Sequence, residues 1–181
     1  EQHGDQVARW FGVKLTVPRV PFPRVTLLEA KKIVEATGWP VGREEDDLDA
    51  EGERRLAQHV AREHGHEFVF VTDYPERSRP FYHMRCDEHP VATRSFDLLW
   101  KGLEITSGAQ REHRHDRLVR QAESRGVPVE PIRQYLEFFK FGCPPHGGFG
   151  LGLTRLLMSL LELPDVREVT YLFRGPDRIT P

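Results

Sequence analysis

An α+β fold, a mainly antiparallel sheet flanked by helices, is the architecture this sequence predicts. Three observations carry it. Helix-period segments with their own start and stop signals occupy the first third of the chain. Alternating segments joined by turn signals follow them, and the most compact joint is Lys101-Gly102. Helix and strand patterns then return, an order unlike the regular alternation of a doubly wound parallel sheet.

Composition bounds the rest. The 181 residues, 38% hydrophobic and 30% charged, suit one soluble domain with a real core. A net charge of -2 gives no global sign of nucleic-acid affinity, and a local basic face stays open. Cys86 and Cys143 do not make a disulfide framework, so a reducing, cytoplasmic setting is the plain reading. No run approaches the roughly 20 apolar residues that span a bilayer, and no membrane partner is expected. No signal sequence opens the chain. The first residue is Glu1 rather than Met, and Val7, Trp10 and Phe11 read as the end of a helix, so the chain reads as starting mid-element.

Residues 13–23 hold Pro18, Pro21 and Pro23 and are expected as an extended connector. Thr26, with Glu29 three residues on, predicts a capping box. The helix it starts has Leu27, Leu28, Ala30, Ile33 and Val34 as its stripe and Gly38 as its stop. The acidic patch 44–49 reads as a solvated loop. A second helix is expected over 51–63, with Leu56, His59 and Val60 on one face and Gly65 as terminator. Residues 67–72, EFVFVT, alternate as a strand, and Asp73-Tyr74-Pro75 is a turn. Residues 80–84 are a short extended piece and 86–90 a polar loop. Strands are expected over 93–100 and 103–107, a charged helix over 111–125 closed by Gly126, and a helix with an aromatic face (Tyr135, Phe138, Phe139) over 131–140. A last strand is expected over 166–173. The division is one domain, 1–181: connector 1–23, helical segment 24–66, and sheet 67–181.

Two stretches carry chemistry. If Lys101-Gly102 is a tight turn, Leu99 faces Glu104, and Asp97 shares a sheet face with Glu104 as its diagonal neighbour. Two carboxylates that close repel unless a cation lies between them or one is protonated. A hard divalent ion such as Mg²⁺, completed by a nucleotide's phosphates, relieves the repulsion. A pair of exposed edge charges is the plainer alternative. Ser107, Gln110 and Arg111 lie on or just past the same strand and bring polar groups of both signs there.

The second stretch is 142–161, GCPPHGGFGLGLTRLLMSLL. Gly148, Gly150 and Gly152 alternate, which marks either close approach of a ligand or tight packing against a helix. Arg155, alone on an otherwise apolar helix, calls for an anionic partner. The spacing is neither G-x-G-x-x-G nor a P-loop. His146 borders this strand. His83-x-x-Cys86-x-x-His89, with Cys143 as a fourth donor, has ligand-like spacing but too little cysteine for structural zinc, so a polar loop is preferred. His113 and His115 are expected to face solvent.

GGFGLGLTRLLMSLLELPDVREV resembles motif 3 of class II aminoacyl-tRNA synthetases, nearest the aspartyl and asparaginyl subgroup. FVTDYPERSRPFY and SFDLLWKGLEITSGAQRE resemble the preceding strands of that subgroup, and the SGAQR wording leans to archaeal-type aspartyl enzymes. The likeness runs from residue 21 to residue 181. It implies an antiparallel sheet flanked by helices and ATP-driven activation of aspartate, or asparagine, to an adenylate, followed by transfer to tRNA. It implies that Asp97, Glu104 and Ser107 serve Mg²⁺ and ATP, and that Arg111 pairs with the substrate side chain. Arg155 is implied to contact ATP, which lies against Gly148, Gly150 and Gly152. A homodimer of the complete enzyme is compatible with the resemblance.

What the resemblance leaves missing is missing from the front. Motif 2, the lysine-bearing substrate segment, motif 1 with its dimer element and the anticodon-binding barrel are not in this sequence. The expectation is an amino-terminally truncated catalytic domain, weakly active or inactive alone. Thr154 stands where the family has an acidic residue, removing a supporting ion pair for Arg155, and Leu-Phe-Arg replaces Phe-Pro-Arg near Phe173. Beside the aspartyl reading stand a stand-alone paralogue, such as an asparagine synthetase or asparaginyl-type enzyme, and a non-catalytic nucleotide-binding relative.

Overall fold

Local chemistry starts the first helices where the sequence predicts. In the computed structural model, which describes residues 2–43 and 46–180, α1 (Gly4–Phe11) ends at Gly12 in the left-handed region. Glu1, Pro181 and the Glu44-Glu45 part of the acidic patch lie outside the described residues. Thr26 and Glu29 form the capping box of α2 (Leu27–Glu35): Thr26 N donates to Glu29 Oε2 at 2.8 Å and Glu29 N to Thr26 Oγ1 at 3.2 Å. Asp49 caps α3 (Ala50–His64), its Oδ1 accepting from Gly52 N at 2.7 Å, and Gly65 stops it.

Five strands form one sheet in sequence order: β1 (Arg24–Thr26), β2 (Phe68–Thr72), β3 (Ser95–Trp100), β4 (Leu103–Gln110) and β5 (Gly147–Leu151). Only the β1/β2 pair is parallel, as the α+β expectation requires. β1 has no counterpart among the expected strands; three residues between prolines and a helix cap show no alternation. α4 (His115–Ser124), α5 (Arg133–Glu137) and α6 (Leu153–Leu161) complete the helices.

Each sheet face has its own core. On one, Leu27, Ala30 and Val34 of α2 and Leu56 and Val60 of α3 pack against Val69, Val71 and Leu99. A fully buried side chain of this kind contributes about 1.5–3 kcal/mol. On the other, Phe68 stacks between Phe22 at 4.7 Å and Trp100 at 4.8 Å, with Ile105 beneath and Leu156 and Leu160 of α6 alongside. On the first face these helices pack over β1–β3, α3 reaches β4 as well, and β5 is exposed along its length.

Several boundaries differ from expectation, each for a local reason. The strand expected over 166–173 is a 3-10 turn, Val166–Val169, capped by Asp165, whose Oδ1 accepts from Arg167 N at 2.9 Å. Val166 and Val169 are three apart, which suits a turn rather than a strand. The helix expected from 111 begins at His115, because Arg111 still bridges to His83 as sheet and Glu112 is buried against Arg114. The 131–140 helix is broken into a 3-10 turn at Glu130–Ile132, α5, and a second 3-10 turn at Phe138–Phe141. Leu28, placed on the apolar stripe of α2, is exposed, while Lys31 is buried. His113 and His115 are half-buried rather than solvent-facing, and His113 Nδ1 is enclosed.

β3 and β4 pair with one irregularity that matters. Leu99 faces Glu104 and Trp100 faces Leu103, as a Lys101-Gly102 turn demands, but a bulge between Leu98 and Leu99 makes Leu98 face Thr106 and Asp97 face Ser107. Ile105 is the extra residue. It leaves Gly108 pressed between rings: a Cβ there would lie 2.6 Å from Phe96 Cζ and 2.8 Å from Phe149 Cβ. At Gly150, one strand over, nothing lies within 4 Å of such an atom. Gly108→Ala is therefore expected to cost about 1–3 kcal/mol from overpacking, and Gly150→Ala to leave the thermal unfolding midpoint essentially unmoved. Equal shifts for the two variants contradict this packing.

Candidate functional site

The bulge decides which side chains share that first face. Side chains alternate along a strand, so Glu104 and Ser107, three apart, would ordinarily point to opposite faces. With one residue added, Glu104 lies opposite Leu99 and Ser107 opposite Asp97, and both join Asp97 on the same face. Across the next pairing, Ser107 faces Gly150 and Ala109 faces Gly148. Phe149 and Leu151 point away, and Phe149 is 70% exposed. The site face of β5 thus carries only glycine. The open space above Gly150 answers the alternative left by the sequence: among the described residues, no packing demands glycine at that position. At Gly148 a Cβ would have one near neighbour among the described residues, Arg111 Nη2 at 4.0 Å. Gly152 caps α6 and lies against the Arg155 stem, with Arg155 Cβ 3.5 Å from where its own Cβ would stand.

Asp97 is 3% exposed. One of its oxygens, Oδ2, accepts a charge-assisted hydrogen bond from Arg79 Nη2; the other, Oδ1, is buried without a partner among the described residues. Arg79 also donates from Nη1 to Ser107 Oγ at 3.4 Å, and its guanidinium lies over the Tyr74 ring at 3.6 Å. Asp47 Oδ2 is 3.7 Å from Arg79 Nη2. Arg155 reaches back to β4, donating from Nη1 to the Glu104 carbonyl at 3.0 Å, with Glu104 Oε2 at 3.6 Å. Arg155 therefore has an anionic neighbour in Glu104 even though Thr154 is not acidic.

Carboxylates outnumber cations here, and their acidities record it. Burial raises Glu104 above the ordinary carboxylate range, and the Asp97 charge adds to it. Burial likewise raises Asp47. Glu53, on the inward face of α3, is pushed up to about 7 by burial and by the charges of Glu104, Asp47 and Asp97. Burial works against the charge on Arg79, but the hydrogen bond and charge of Asp97 outweigh it and raise its pKa.

Arg111 stands at the far end of the same face. Its guanidinium lies over the Tyr82 ring at 4.7 Å, and Nη1 is buried with no hydrogen-bond partner among the described residues. His83, beside it, is 6% exposed, with Nδ1 equally unpartnered. Burial, then the Arg111 and Arg79 charges, lowers its pKa to about 4, so it is a neutral imidazole at neutral pH.

Of the residues singled out in the sequence, Asp97, Glu104, Ser107, Gly148, Gly150 and Arg111 lie on one face, with Gly152 and Arg155 at its edge. Gln110 does not join them; it turns to the opposite face, where its Oε1 accepts from Arg94 Nη1 at 3.1 Å. His146 is exposed and stacks on Phe139 at 6.2 Å. Among the described residues no group of three or more His, Cys, Asp and Glu side chains gathers as a metal cage. Sequence reasoning misses Arg79 and Glu53; it leaves Asp47 in a solvated acidic loop and reads His83 only as part of the His83-x-x-Cys86-x-x-His89 spacing. Only Glu53 left a signal: it lies three and seven residues before Leu56 and Val60, on the buried stripe of its own helix.

A site of this kind can hold a divalent ion between carboxylates, seat a flat ligand on a glycine floor and receive an anionic group at Arg111. A cavity of about 620 Å³ lies elsewhere, lined by Thr26, Asp73, Glu76, Cys86 and His89, and touches none of these residues. Among the described residues no helix is long and apolar enough to cross a membrane.

Residues 3–174 match the sequence profile of the family described as tRNA synthetases class II (D, K and N). The chain is 44% identical over 184 residues to an aspartate--tRNA(Asp/Asn) ligase of Aeropyrum pernix, which covers 100% of this chain and 41% of the relative. Among solved structures, it is similar to an aspartyl tRNA synthetase from Entamoeba histolytica, with a TM-score of 0.87 and 32% identity over 98% of this chain and 38% of that one. It is also similar to the asparaginyl-tRNA synthetase of the same organism in complex with asparaginyl-adenylate, with a TM-score of 0.87 and 31% identity over 99% of this chain and 40% of that one. The chain thus spans about two fifths of the length of the proteins it matches.

The raised pKa of Glu53 has a testable sign. Its folded pKa, about 7, exceeds the ordinary 4.5. Its contribution to stability is therefore complete below about pH 4.5 and is lost as pH rises through 7. In thermal melts without divalent ions, the midpoint of the unaltered protein should fall relative to Glu53→Gln between pH 5 and 8. Parallel curves contradict the assignment.

Proposed function

The chain belongs to the class II tRNA synthetases of the D, K and N type, and from that premise we propose that the protein carrying it joins aspartate to ATP as aspartyl adenylate and passes the acyl group to tRNA. One observation supports this most strongly. Arg111 offers an Nη1 that is buried without a hydrogen-bond partner among the described residues, on the face shared by Asp97, Glu104 and Ser107 and beside the backbone of Gly148. A guanidinium fork suits a planar carboxylate that it can grip at two points.

Each side chain then has a task. Arg111 receives the aspartate side chain, and its stacking on Tyr82 holds the fork in place. Gly148 and Gly150 let the nucleotide lie against the strand, and Arg155 at the head of α6 meets its phosphate charge. Asp97, Glu104 and Ser107 are the residues that would hold Mg²⁺, and the unpartnered Asp97 Oδ1 fits that use. The ion supplies charge neutralisation for the phosphates when bound. No side chain here is a nucleophile; the chain's contribution is positioning and electrostatic stabilisation. The neutral His83 keeps a further positive charge away from Arg111, so the pocket matches one carboxylate.

Asparagine is the second reading, supported by the likeness to the Entamoeba histolytica asparaginyl enzyme. Arg111 favours aspartate, because its Nη1 is buried without a hydrogen-bond partner among the described residues and a neutral amide would bring it no counter-charge. We place the soluble cytoplasm as its setting, and its remaining length as the source of the second wall over Gly150.

In the full-length protein, Arg111→Ala should lower kcat/KM for aspartate by roughly 10²–10³-fold, the scale of a broken buried ion pair. Aspartate-dependent ATP–pyrophosphate exchange reads this directly, with asparagine as the competing substrate. Unchanged kinetics remove Arg111 from the site, and faster exchange with asparagine replaces the aspartate reading.

A further inference from the structure

Arg79 touches two of the three residues assigned above to the cation. Nη2 bonds Asp97 Oδ2 and Nη1 donates to Ser107 Oγ at 3.4 Å, while Asp47 Oδ2 lies 3.7 Å from Nη2. The side chain is 11% exposed and packed face-on against Tyr74 at 3.6 Å, so its position is built rather than incidental. Its Nε is buried without a partner among the described residues. A guanidinium held this way is not a mobile surface charge; the aromatic ring beneath and the two acceptors in front leave it one place to be. That place is the side of Asp97 turned toward Ser107, and Oδ1 is left buried without a hydrogen-bond partner among the described residues.

We propose that Arg79 is the resident counter-ion of the cation seat, weakening divalent-ion binding in the absence of nucleotide and so tying the ion's arrival to that of ATP. The inference rests on the reading of Asp97, Glu104 and Ser107 as that seat. With Arg79 in place, Asp97 is already compensated, and a divalent ion meets a fixed positive charge across the same carboxylate. Phosphates supply the negative charge that tips the balance. Arg79 is thus a positioning residue: it acts on the ion through Asp97 and Ser107 and does not itself meet aspartate. Its charge, rather than its bulk, does this, which gives the test a direction that a merely structural role does not share. Removing a structural arginine loosens a site; removing a competing charge tightens it.

The experiment is a Mn²⁺ titration of the full-length protein, without nucleotide, read by electron paramagnetic resonance. Arg79→Met and Arg79→Gln, both neutral, should bind Mn²⁺ about tenfold more tightly than the unaltered protein, and Arg79→Lys, which keeps the charge, should stay within about threefold of it. Tighter binding by every neutral variant that folds supports the proposal. Equal or weaker binding by a folded neutral variant overturns it, as does equal tightening in Arg79→Lys. Should neither neutral variant fold, the unaltered protein decides: its Mn²⁺ affinity should rise at least about tenfold with a non-hydrolysable ATP analogue, and no rise overturns the proposal. Asp97→Asn separates this inference from the reading beneath it. If that substitution leaves Mn²⁺ binding with the analogue unchanged, the seat itself is wrongly placed. If it abolishes binding while the neutral Arg79 variants bind no more tightly, only the role of Arg79 fails.

Discussion

One inserted residue in β4 governs the chemistry of the sheet. Ile105 fills the bulge opposite the Leu98–Leu99 step, and everything C-terminal to it in the strand changes face relative to a regular hairpin. Glu104, before the bulge, and Ser107, after it, come to face the same way only because of it. The shifted register passes to β5, where it turns Gly148 and Gly150 to the site and Phe149 and Leu151 away. A regular β3/β4 ladder would keep Asp97 with Glu104 but send Ser107 and Arg111 to the aromatic side. The bulge is in turn held by Ile105 itself, buried against Phe68 and Trp100 in the second core. Packing on one face thereby sets the polar arrangement on the other.

The second organising feature is charge. Burial, with the charges of neighbouring carboxylates added to it, raises the pKa values of Asp47, Glu53 and Glu104, and Arg79 and Arg155 compensate that cluster only in part. Each of these acids is held by an element with its own reason to be there. Asp47 and Glu53 come with the capped start of α3, Asp97 and Glu104 with the hairpin. Buried carboxylates without full compensation destabilise a fold, and here they concentrate between the start of α3 and the β3/β4 hairpin. At the opposite end, Arg111 and the neutral His83 form a region of excess positive charge. A ligand with a carboxylate at one end and phosphates bound through a cation at the other would satisfy both regions at once, which is the charge pattern of an acidic amino acid beside ATP.

Much of this is legible in the residues. Capping at Thr26, the Lys101-Gly102 turn and the pairing of Leu99 with Glu104 follow from local rules, because those features depend on a few neighbouring side chains, whereas the Asp49 cap is hidden in what reads as a solvated acidic loop. The resemblance in 67–161 carries Arg111, Arg155 and Ser107. Arg79 is not legible: it sits in an irregular segment after a 3-10 turn, and only tertiary structure brings it to Asp97, eighteen residues on. The bulge is not legible either, since nothing in LEITSGAQ breaks the alternation as a glycine or proline would at Ile105. Gln110 falls outside the site because nearness in sequence to Ser107 and Arg111 does not give it their face. Glu53 is the instructive omission, an acid written on an apolar stripe.

The chain spans about two fifths of the length of the relatives it matches. The proposed site nonetheless specifies where the ligand lies. A crystal structure of the full-length protein with a non-hydrolysable aspartyl-adenylate analogue tests it most directly. The expected result is a side-chain carboxylate within hydrogen-bonding distance of both terminal nitrogens of Arg111, with the adenylate on the Gly148–Gly150 face. An analogue bound on the Phe149 side of the sheet, or an Arg111 that does not touch it, would contradict that placement.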